Sequence, residues 1–324
     1  MYEIICFGSA GKDIFFPTKS GNIIETPDDL TSQKKIAFEL GAKIKIEERF
    51  ESLGGCAANV AVGLSRLGIK AACVSNIGDD AIGEWIIGEL ASNNIKSDFI
   101  NKEVGKKSDL SAIIVDEKSA DRVIFTNKNS SGKLNLNREK FKDANWFFIS
   151  DVHGNWEFQV EEIIKIAQED KKKIAFNPRE VYIKENPREV INAIKYCELV
   201  FLNKDEAIEI ISQMDNFSVF EMEDEKFLLE KILKLGAKVV ALTDGVRGAW
   251  ASDGNEIFFA HGEKVNAVDS TGAGDAFASG FLGAYLKGKA IKECLNWGIA
   301  NSSNEVQFYG AIEGLLDEKN ISKI

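Results

Sequence analysis

The chain has 324 residues, 44% of them hydrophobic and 28% charged, which fits one large soluble α/β domain or a domain with a small insertion. Its net charge of -11 argues against the clustered Lys and Arg of a nucleic-acid or anionic membrane surface. It leaves a nucleotide ligand open, because backbone N–H groups, a helix N-terminus and a bound cation can all hold phosphate. Cys6, Cys56, Cys73, Cys197 and Cys294 contain no C-x-x-C pair, and the histidines are only His153 and His261, so neither a zinc site nor a Ser-His-Asp triad is expected. The start lacks the basic stretch and long apolar run of a signal peptide, and no apolar run reaches membrane-spanning length. The expectation is a cytoplasmic protein.

In chain order, Glu3 to Phe7 predicts a buried strand. Cys56 to Leu67 predicts a helix with Ala57, Val60, Ala61, Leu64 and Leu67 on one face and Gly68 as its stop. Ala72 to Ile77 is a strand, with Trp85 to Leu90 in the next helix. Trp146 to Ile149, Ile174 to Phe176 and Leu199 to Leu202 are further strands, separated by helices through Glu161 to Ile166 and Val190 to Ile194. A helix at Phe227 to Leu235 leads into a strand at Val239 to Thr243, and Asp275 to Leu286 is the last strong helix. This alternation predicts a doubly wound parallel sheet with helices on both faces. Ile23 to Phe50 and Ser111 to Thr126 break it. The second reads as a β-hairpin, and together they predict a small β-sheet lid from segments at about 14–52 and 108–128 of a single domain spanning 1–324.

The run Asn266 to Phe281, NAVDSTGAGDAFASGF, carries the chemistry. Gly272, Ala273 and Gly274 precede the predicted helix. Glycines there let backbone N–H groups converge on one spot where the helix dipole favours negative charge. That is an anion hole for a migrating phosphoryl group. Asp275, in the same turn, is placed to take a proton from an attacking hydroxyl. A bare G-x-G-D would only cap a helix and make a turn; the whole run argues for more.

The run resembles the C-terminal signature of the PfkB, or ribokinase-like, carbohydrate kinase family. The N-terminal signature of that family also appears, as Gly54-Gly55-Cys56-Ala57-Ala58-Asn59-Val60-Ala61 followed by Leu67-Gly68. The resemblance covers the chain from Gly8 to about Gly310. It implies an ATP-dependent kinase that phosphorylates a hydroxyl of a sugar or sugar-like small molecule, with Asp275 as general base. By the same resemblance Asp13 binds two acceptor hydroxyls, as a carboxylate can for a vicinal diol; alone it would read as a turn residue. Gly54, Gly55 and Asn59 match acceptor contacts. Asn59, a polar side chain in an otherwise apolar helix, needs a partner in any case.

On the nucleotide side the resemblance implies Asn203, Thr243, Gly245, Gly248 and Asn301, with Glu206 in the Mg²⁺ environment through water. Asn203 and Glu206 fit a helix start equally well. Asp269 and Thr271 belong to a loop that holds a monovalent cation, K⁺, in many relatives. Asn177 resembles a residue near phosphate or acceptor. Arg179, Asp151, His153, Arg122 and Asn127 fit either pocket or surface.

Three rival readings account for less of the sequence. A P-loop kinase needs G-x-x-x-x-G-K-[ST], which is absent. A dinucleotide-binding oxidoreductase has only Gly8-x-x-Gly11 in its favour. A ligand-binding sensor on the same fold would not need Asp275. The expected partner is a small molecule, not nucleic acid or membrane, with a homodimer through the lid edge. An unphosphorylated sugar ranks first as acceptor and a nucleoside second, since little positive charge is expected around the pocket.

Overall fold

The computed structural model describes residues 2–26, 34–130, 132–215 and 217–324. The part of the expected lid at 27–33 lies outside them. In chain order the strands are β1 (Ile4–Phe7), β2 (Gly11–Thr18), β3 (Asn22–Glu25), β4 (Lys34–Ala37), β5 (Phe50–Gly54), β6 (Ala71–Gly78), β7 (Ile100–Glu103), β8 (Asp109–Asp116), β9 (Arg122–Asn127), β10 (Trp146–Ser150), β11 (Lys173–Asn177), β12 (Leu199–Asn203), β13 (Val239–Thr243), β14 (Ala249–Ser252) and β15 (Ile257–Ala260).

Nine of them form one sheet, in the order β15-β14-β13-β12-β11-β10-β1-β6-β7. Pairing is parallel from β7 to β13, and β14 and β15 are added antiparallel at one edge. Strands β6 and β10 are buried along their whole length, as expected where helices cover both faces. One face packs on the helices Cys56–Arg66, Ala273–Leu286 and Ile291–Glu305. The other packs on Trp156–Glu169, Pro187–Ile194, Lys204–Ser212 and Glu225–Leu233. The chain leaves β1 for β6 on one side and returns to β10 on the other. The strand order therefore switches between β1 and β10, where open sheets of this kind bind ligands at the C-terminal strand ends.

A second sheet, β5-β2-β8-β9, and the hairpin β3-β4 stand apart from the first. Phe15, Ile113 and Val115 form its small core, and Phe50 stacks on Tyr309 at 4.5 Å between ring centroids. β8 and β9 pair antiparallel, with Leu110 opposite Asn127. All six residues of β9, the free edge, are exposed.

Three local readings change. The lid sheet begins at Gly11, so Asp13 lies inside a lid strand and not in a turn. Strands β7, β14 and β15 were not anticipated: INKE, AWAS and IFFA are four-residue segments, too short to show a period. The last strong helix begins at Ala273, two residues before Asp275, because Gly272 and not an apolar residue marks its start.

Asn301 has a different role from the one expected. It is fully buried between the two C-terminal helices. Its amide donates to the Ala276 carbonyl at 2.8 Å and to Ser279 Oγ at 3.1 Å, and its Oδ1 accepts from the Leu316 N–H at 2.8 Å. Every polar atom of the side chain is used, which leaves none for an adenine. We predict that Asn301→Ala lowers stability by about 2–3 kcal/mol, since buried partners are left unsatisfied. Urea unfolding measures this, and the KM for nucleotide of the folded protein should stay unchanged.

Candidate active site

Gly272 caps the helix Ala273–Leu286 in a left-handed conformation, φ 97. A Cβ there would stand 2.3 Å from the Cβ of Ala311, so only glycine makes this turn. Around Gly274 nothing lies within 4 Å of a Cβ position. The first turn offers no intrahelical acceptor for the N–H groups of Gly274 and Asp275, and it opens on free space. Phosphate suits such a place.

Asp275 is the third residue of this helix and is 8% exposed. Its Oδ2 accepts a 2.9 Å hydrogen bond from the Asn59 amide, 216 residues away in sequence. A carboxylate can only accept, so the nitrogen of Asn59 must face it and Oδ1 points elsewhere. That oxygen has no partner among the described residues, which leaves an acceptor for a hydroxyl. Burial raises the Asp275 pKa; Asn59, Arg179 and Cys56 pull it partly back.

Asp13 faces the same cavity from β2. Burial pushes its carboxyl up to about 6, against a hydrogen bond to Ser111. Its Oδ2 lies 2.2 Å from where a Cβ on Gly54 would stand. Gly54 thus makes room for the carboxylate. Gly55, at φ 94, is the N-cap residue of the helix carrying Asn59.

The switch point between β1 and β10 holds a charged cluster. Ser9 donates to Asp151 Oδ2 at 2.6 Å, and Lys128 reaches both Asp151 oxygens at 3.1 and 3.2 Å. His153 lies 3.2 Å from Asp109 and 2.8 Å from Lys128, and Arg179 lies 3.7 Å from Asp151. Asp151 itself adopts a left-handed conformation, φ 34, the kind of strain that functional sites retain. Burial opposes its ionisation, but Arg179, His153 and Lys128 outweigh burial and hold it well below the usual carboxylate range.

Two cavities meet here. One, of about 350 Å³, is lined by Asp13, Asn59, Lys128, His153 and Asp275 among others. The second, of about 430 Å³, is lined by Asn177, Asn203, Glu206, Thr243 and Gly274 among others. Cys56, Arg122, Ile124, Arg179, Gly272 and Asp275 line both.

On the side of the second cavity, Asn203 and Glu206 form a reciprocal capping box at the start of Lys204–Ser212. The capping bond uses Oε2 of Glu206, and burial pushes that carboxyl up to about 7. Thr243 ends β13 at the cavity wall. Gly245 and Gly248 bracket a tight turn beside it and do not line either cavity. Asp269 and Thr271 form one loop: Thr271 donates to Asp269 Oδ1 through N–H (3.0 Å) and Oγ1 (2.8 Å).

Of the expected site residues, Asp13, Gly55, Asn59, Gly272 and Asp275 line the first cavity, and Gly272, Gly274, Asp275, Asn203, Glu206 and Thr243 line the second, while Gly54 packs against the Asp13 carboxylate and Ala273 lines neither. Asn301 is taken up between helices, and Gly245 and Gly248 lie in the turn beside Thr243 without lining either cavity. Sequence reasoning missed Ser9, Asp109, Lys128 and Glu305. Glu305 had a readable signal. It lies four residues after Asn301, and two polar residues at that spacing share one buried helix face. The expected shortage of positive charge is also corrected, since Arg122, Lys128 and Arg179 all line the first cavity.

The profile of the pfkB family carbohydrate kinases matches residues 29–318. The chain belongs to that family. An uncharacterized sugar kinase of Archaeoglobus fulgidus is 29% identical over 78% of this chain and 98% of its own length. A cytidine kinase of Thermococcus kodakarensis is 30% identical over 79% of this chain and 88% of its own. Ribokinase from Cryptococcus neoformans var. grubii serotype A, solved with ADP, superposes with a TM-score of 0.79 at 18% identity, covering 100% of this chain and 99% of the other. Carbohydrate kinases of the pfkB family use ATP. Among the described residues no helix is long and apolar enough to cross a membrane.

Two predictions follow from the cavity. Gly54→Ala places a methyl group against the Asp13 carboxylate and raises the acceptor KM about tenfold or more with the ATP KM unchanged; steady-state kinetics with each substrate varied decide it. Asp13 is ionised above about pH 6 and protonated below. Acceptor kcat/KM should therefore fall about tenfold per pH unit below that point. In Asp13→Asn this limb is absent and only that of Asp275 remains.

Proposed function

We propose that this kinase transfers the γ-phosphoryl group of ATP to a hydroxyl of a sugar or sugar-like small molecule. The observation that carries the reading is the wall shared by the two cavities, because Asp275 and Gly272 face both. A base and an anion hole belong between an acceptor and a nucleotide, and nowhere else in the reaction.

In this reading the acceptor lies in the cavity under the lid. Asp13 accepts from its hydroxyls, as Asn59 Oδ1 does. The nucleotide lies along the C-terminal ends of β11, β12 and β13, beside Asn203 and Thr243. Asp275 takes the proton of the attacking hydroxyl as the oxygen bonds to phosphorus. The unpaired N–H groups of Gly274 and Asp275, in the turn that Gly272 opens, stabilise the charge on the migrating group. Asn59 holds the Asp275 carboxylate in one orientation throughout. The raised pKa of Asp275 makes it a stronger base than an exposed aspartate. The lid strands exclude water, a competing nucleophile.

The cleft fits Mg²⁺·ATP. Glu206 offers a half-buried carboxylate beside Asn203, suited to a contact through water. When bound, Mg²⁺ supplies positive charge to the phosphates.

A sugar comes first as acceptor. A nucleoside comes second, supported by the likeness to a cytidine kinase. The three cations of the cavity remove the ground for setting aside a phosphorylated sugar. A cytoplasmic enzyme accords with five free, buried cysteines, and the open edge β9, with Val123, Ile124 and Phe125 exposed, supports pairing with a second copy.

Asp275→Asn is expected to lower kcat by about 10²–10⁴-fold while ATP still binds. Turnover with a panel of sugars and nucleosides, beside nucleotide binding by calorimetry, measures both. Near-normal turnover would remove Asp275 from its role. ATP binding without turnover in the unaltered chain, on every acceptor, would favour a sensor.

A further inference from the structure

Arg179 carries hydrogen-bond donors that the fold leaves unspent. Its backbone is fixed. It follows β11, where Asn177 pairs with Ser150 of β10, and its carbonyl accepts from the N–H groups of Tyr182 and Ile183 at 2.9 and 3.3 Å. Tyr182 stacks on Trp156 at 4.1 Å between ring centroids and donates to the Val152 carbonyl at 2.6 Å, which ties this turn to the loop after β10. The guanidinium is not held in the same way. Among the described residues its one hydrogen bond runs from Nη1 to Cys56 Sγ at 2.9 Å. Sulfur is a weak acceptor, and burial pushes the Cys56 thiol up, so it stays neutral. Nε lies 3.7 Å from Asp151, beyond hydrogen-bond length, and Ser9 and Lys128 already occupy both Asp151 oxygens. A guanidinium has five N–H donors. Most of these have no acceptor here, and the side chain keeps 40% of its surface open.

Arg179 lines both cavities, and its charge reaches both sides of their shared wall. It lowers the pKa of Asp151 on the acceptor side, of Asp275 on the wall itself, and of Glu206 on the nucleotide side. Charge balance alone does not account for it. Lys128 already contacts both oxygens of Asp151, and Asn59 already holds Asp275. A cation beside Asp275 makes it a weaker base, which is unfavourable in a residue that takes a proton. The loss is offset if the same cation acts on the group being transferred. Arg122 also lines both cavities, but its guanidinium is engaged by Ser270.

We propose that Arg179 is a catalytic residue, whose open N–H groups hydrogen-bond to two oxygens of the γ-phosphoryl group while it passes from ATP to the acceptor. This rests on the kinase reaction proposed above and adds a residue to it. In the step, the bond between the γ-phosphorus and the bridging oxygen breaks, and its electron pair leaves with ADP. The acceptor oxygen forms the new bond to phosphorus as its proton goes to Asp275. Arg179 stays protonated and forms no covalent bond. In the transition state the charge is spread over three equatorial oxygens, and a planar fork of donors matches two of them better than a point charge does. The N–H groups of Gly274 and Asp275 approach from the helix start, so the group is held from two elements.

Steady-state kinetics test this with an acceptor that the unaltered chain turns over. Arg179→Ala should lower kcat by about 10³-fold and Arg179→Lys by about 10²-fold, with ATP affinity and acceptor KM within about threefold of the unaltered chain. Guanidinium chloride at tens of millimolar should restore kcat in Arg179→Ala by about tenfold or more, and sodium chloride at the same ionic strength should not. ADP with aluminium fluoride and acceptor mimics the planar migrating group. By calorimetry it should bind Arg179→Ala more weakly by about the factor lost in kcat. Thermal unfolding shows whether each variant is folded; should Arg179→Ala fail to fold, Arg179→Lys takes its place for kcat and analogue binding. A kcat within about threefold of the unaltered value, or a loss confined to KM, overturns the proposal. So does a loss of kcat with neither guanidinium rescue nor weaker analogue binding, which would make Arg179 a structural residue. No turnover by the unaltered chain on any acceptor removes the kinase reading and this proposal with it. Turnover by the unaltered chain beside an undiminished Arg179→Ala removes this proposal alone.

Discussion

The turn at Gly272 is the constraint from which the rest of the site is measured. Its left-handed backbone and its contact with Ala311 leave no room for a side chain. The loop before it is tied to the Val306 carbonyl by two N–H groups. Together these fix where the helix Ala273–Leu286 begins. A helix that began one residue later would carry Asp275 round by about 100° and away from Asn59. It would also move the unpaired N–H groups of the first turn off the wall where the two cavities meet.

The second consequence is that two distant motifs form one structural unit. Asn59 belongs to the helix Cys56–Arg66 and Asp275 to Ala273–Leu286, which pack side by side on one face of the sheet. Their hydrogen bond is buried, so it is stronger than in water and costly to leave unmade. The bond turns Asn59 so that its oxygen is left over. Gly54 sets Asp13 in a similar way, by being small where the carboxylate lies. Asp275 and Asp13 are thus each placed by a neighbour that the sequence shows only as a small or neutral residue.

The fold was largely legible because periodicity survives in a sheet covered on both faces. Strands such as β10 and β13 are unbroken apolar runs, and the helices between them show a clear buried stripe. Short segments were not legible: β7, β14 and β15 are four residues each, and pairing with a neighbour rather than their own composition makes them strands. The site was legible where backbone conformation demands a residue type, as at Gly272, and where a polar residue interrupts an apolar helix, as at Asn59. It was not legible where residues meet only through the chain crossover. Ser9, Lys128 and Asp151 come from three separate loops, and no local spacing records their contact. Asn301 misled for the converse reason. A polar residue in a buried helix needs partners, and the sequence does not say whether these are a ligand or a neighbouring helix.

The electrostatics of this region set stability against function. Asp13, Asp269, Asp275 and Glu305 are all less than a tenth exposed. Burial raises the pKa of every one of them, and Asp269 and Asp275 each act on both Asp13 and Glu305. A chain selected for stability alone would replace such groups with apolar ones. The counter-charge comes from elements that are not part of the same helix. Arg179 stands at the end of β11 and lowers the pKa of Asp275, and Arg122 stands on the lid and lowers those of Asp269 and Glu305. Arg122 also hydrogen-bonds to Ser270, within the anion-hole loop itself. Lid position and the charge balance at the helix start are therefore linked. The guanidinium of Arg122 reaches this region from a strand of the second sheet, so the placement of that sheet and the ionisation of two buried carboxyl groups behind the turn depend on one side chain.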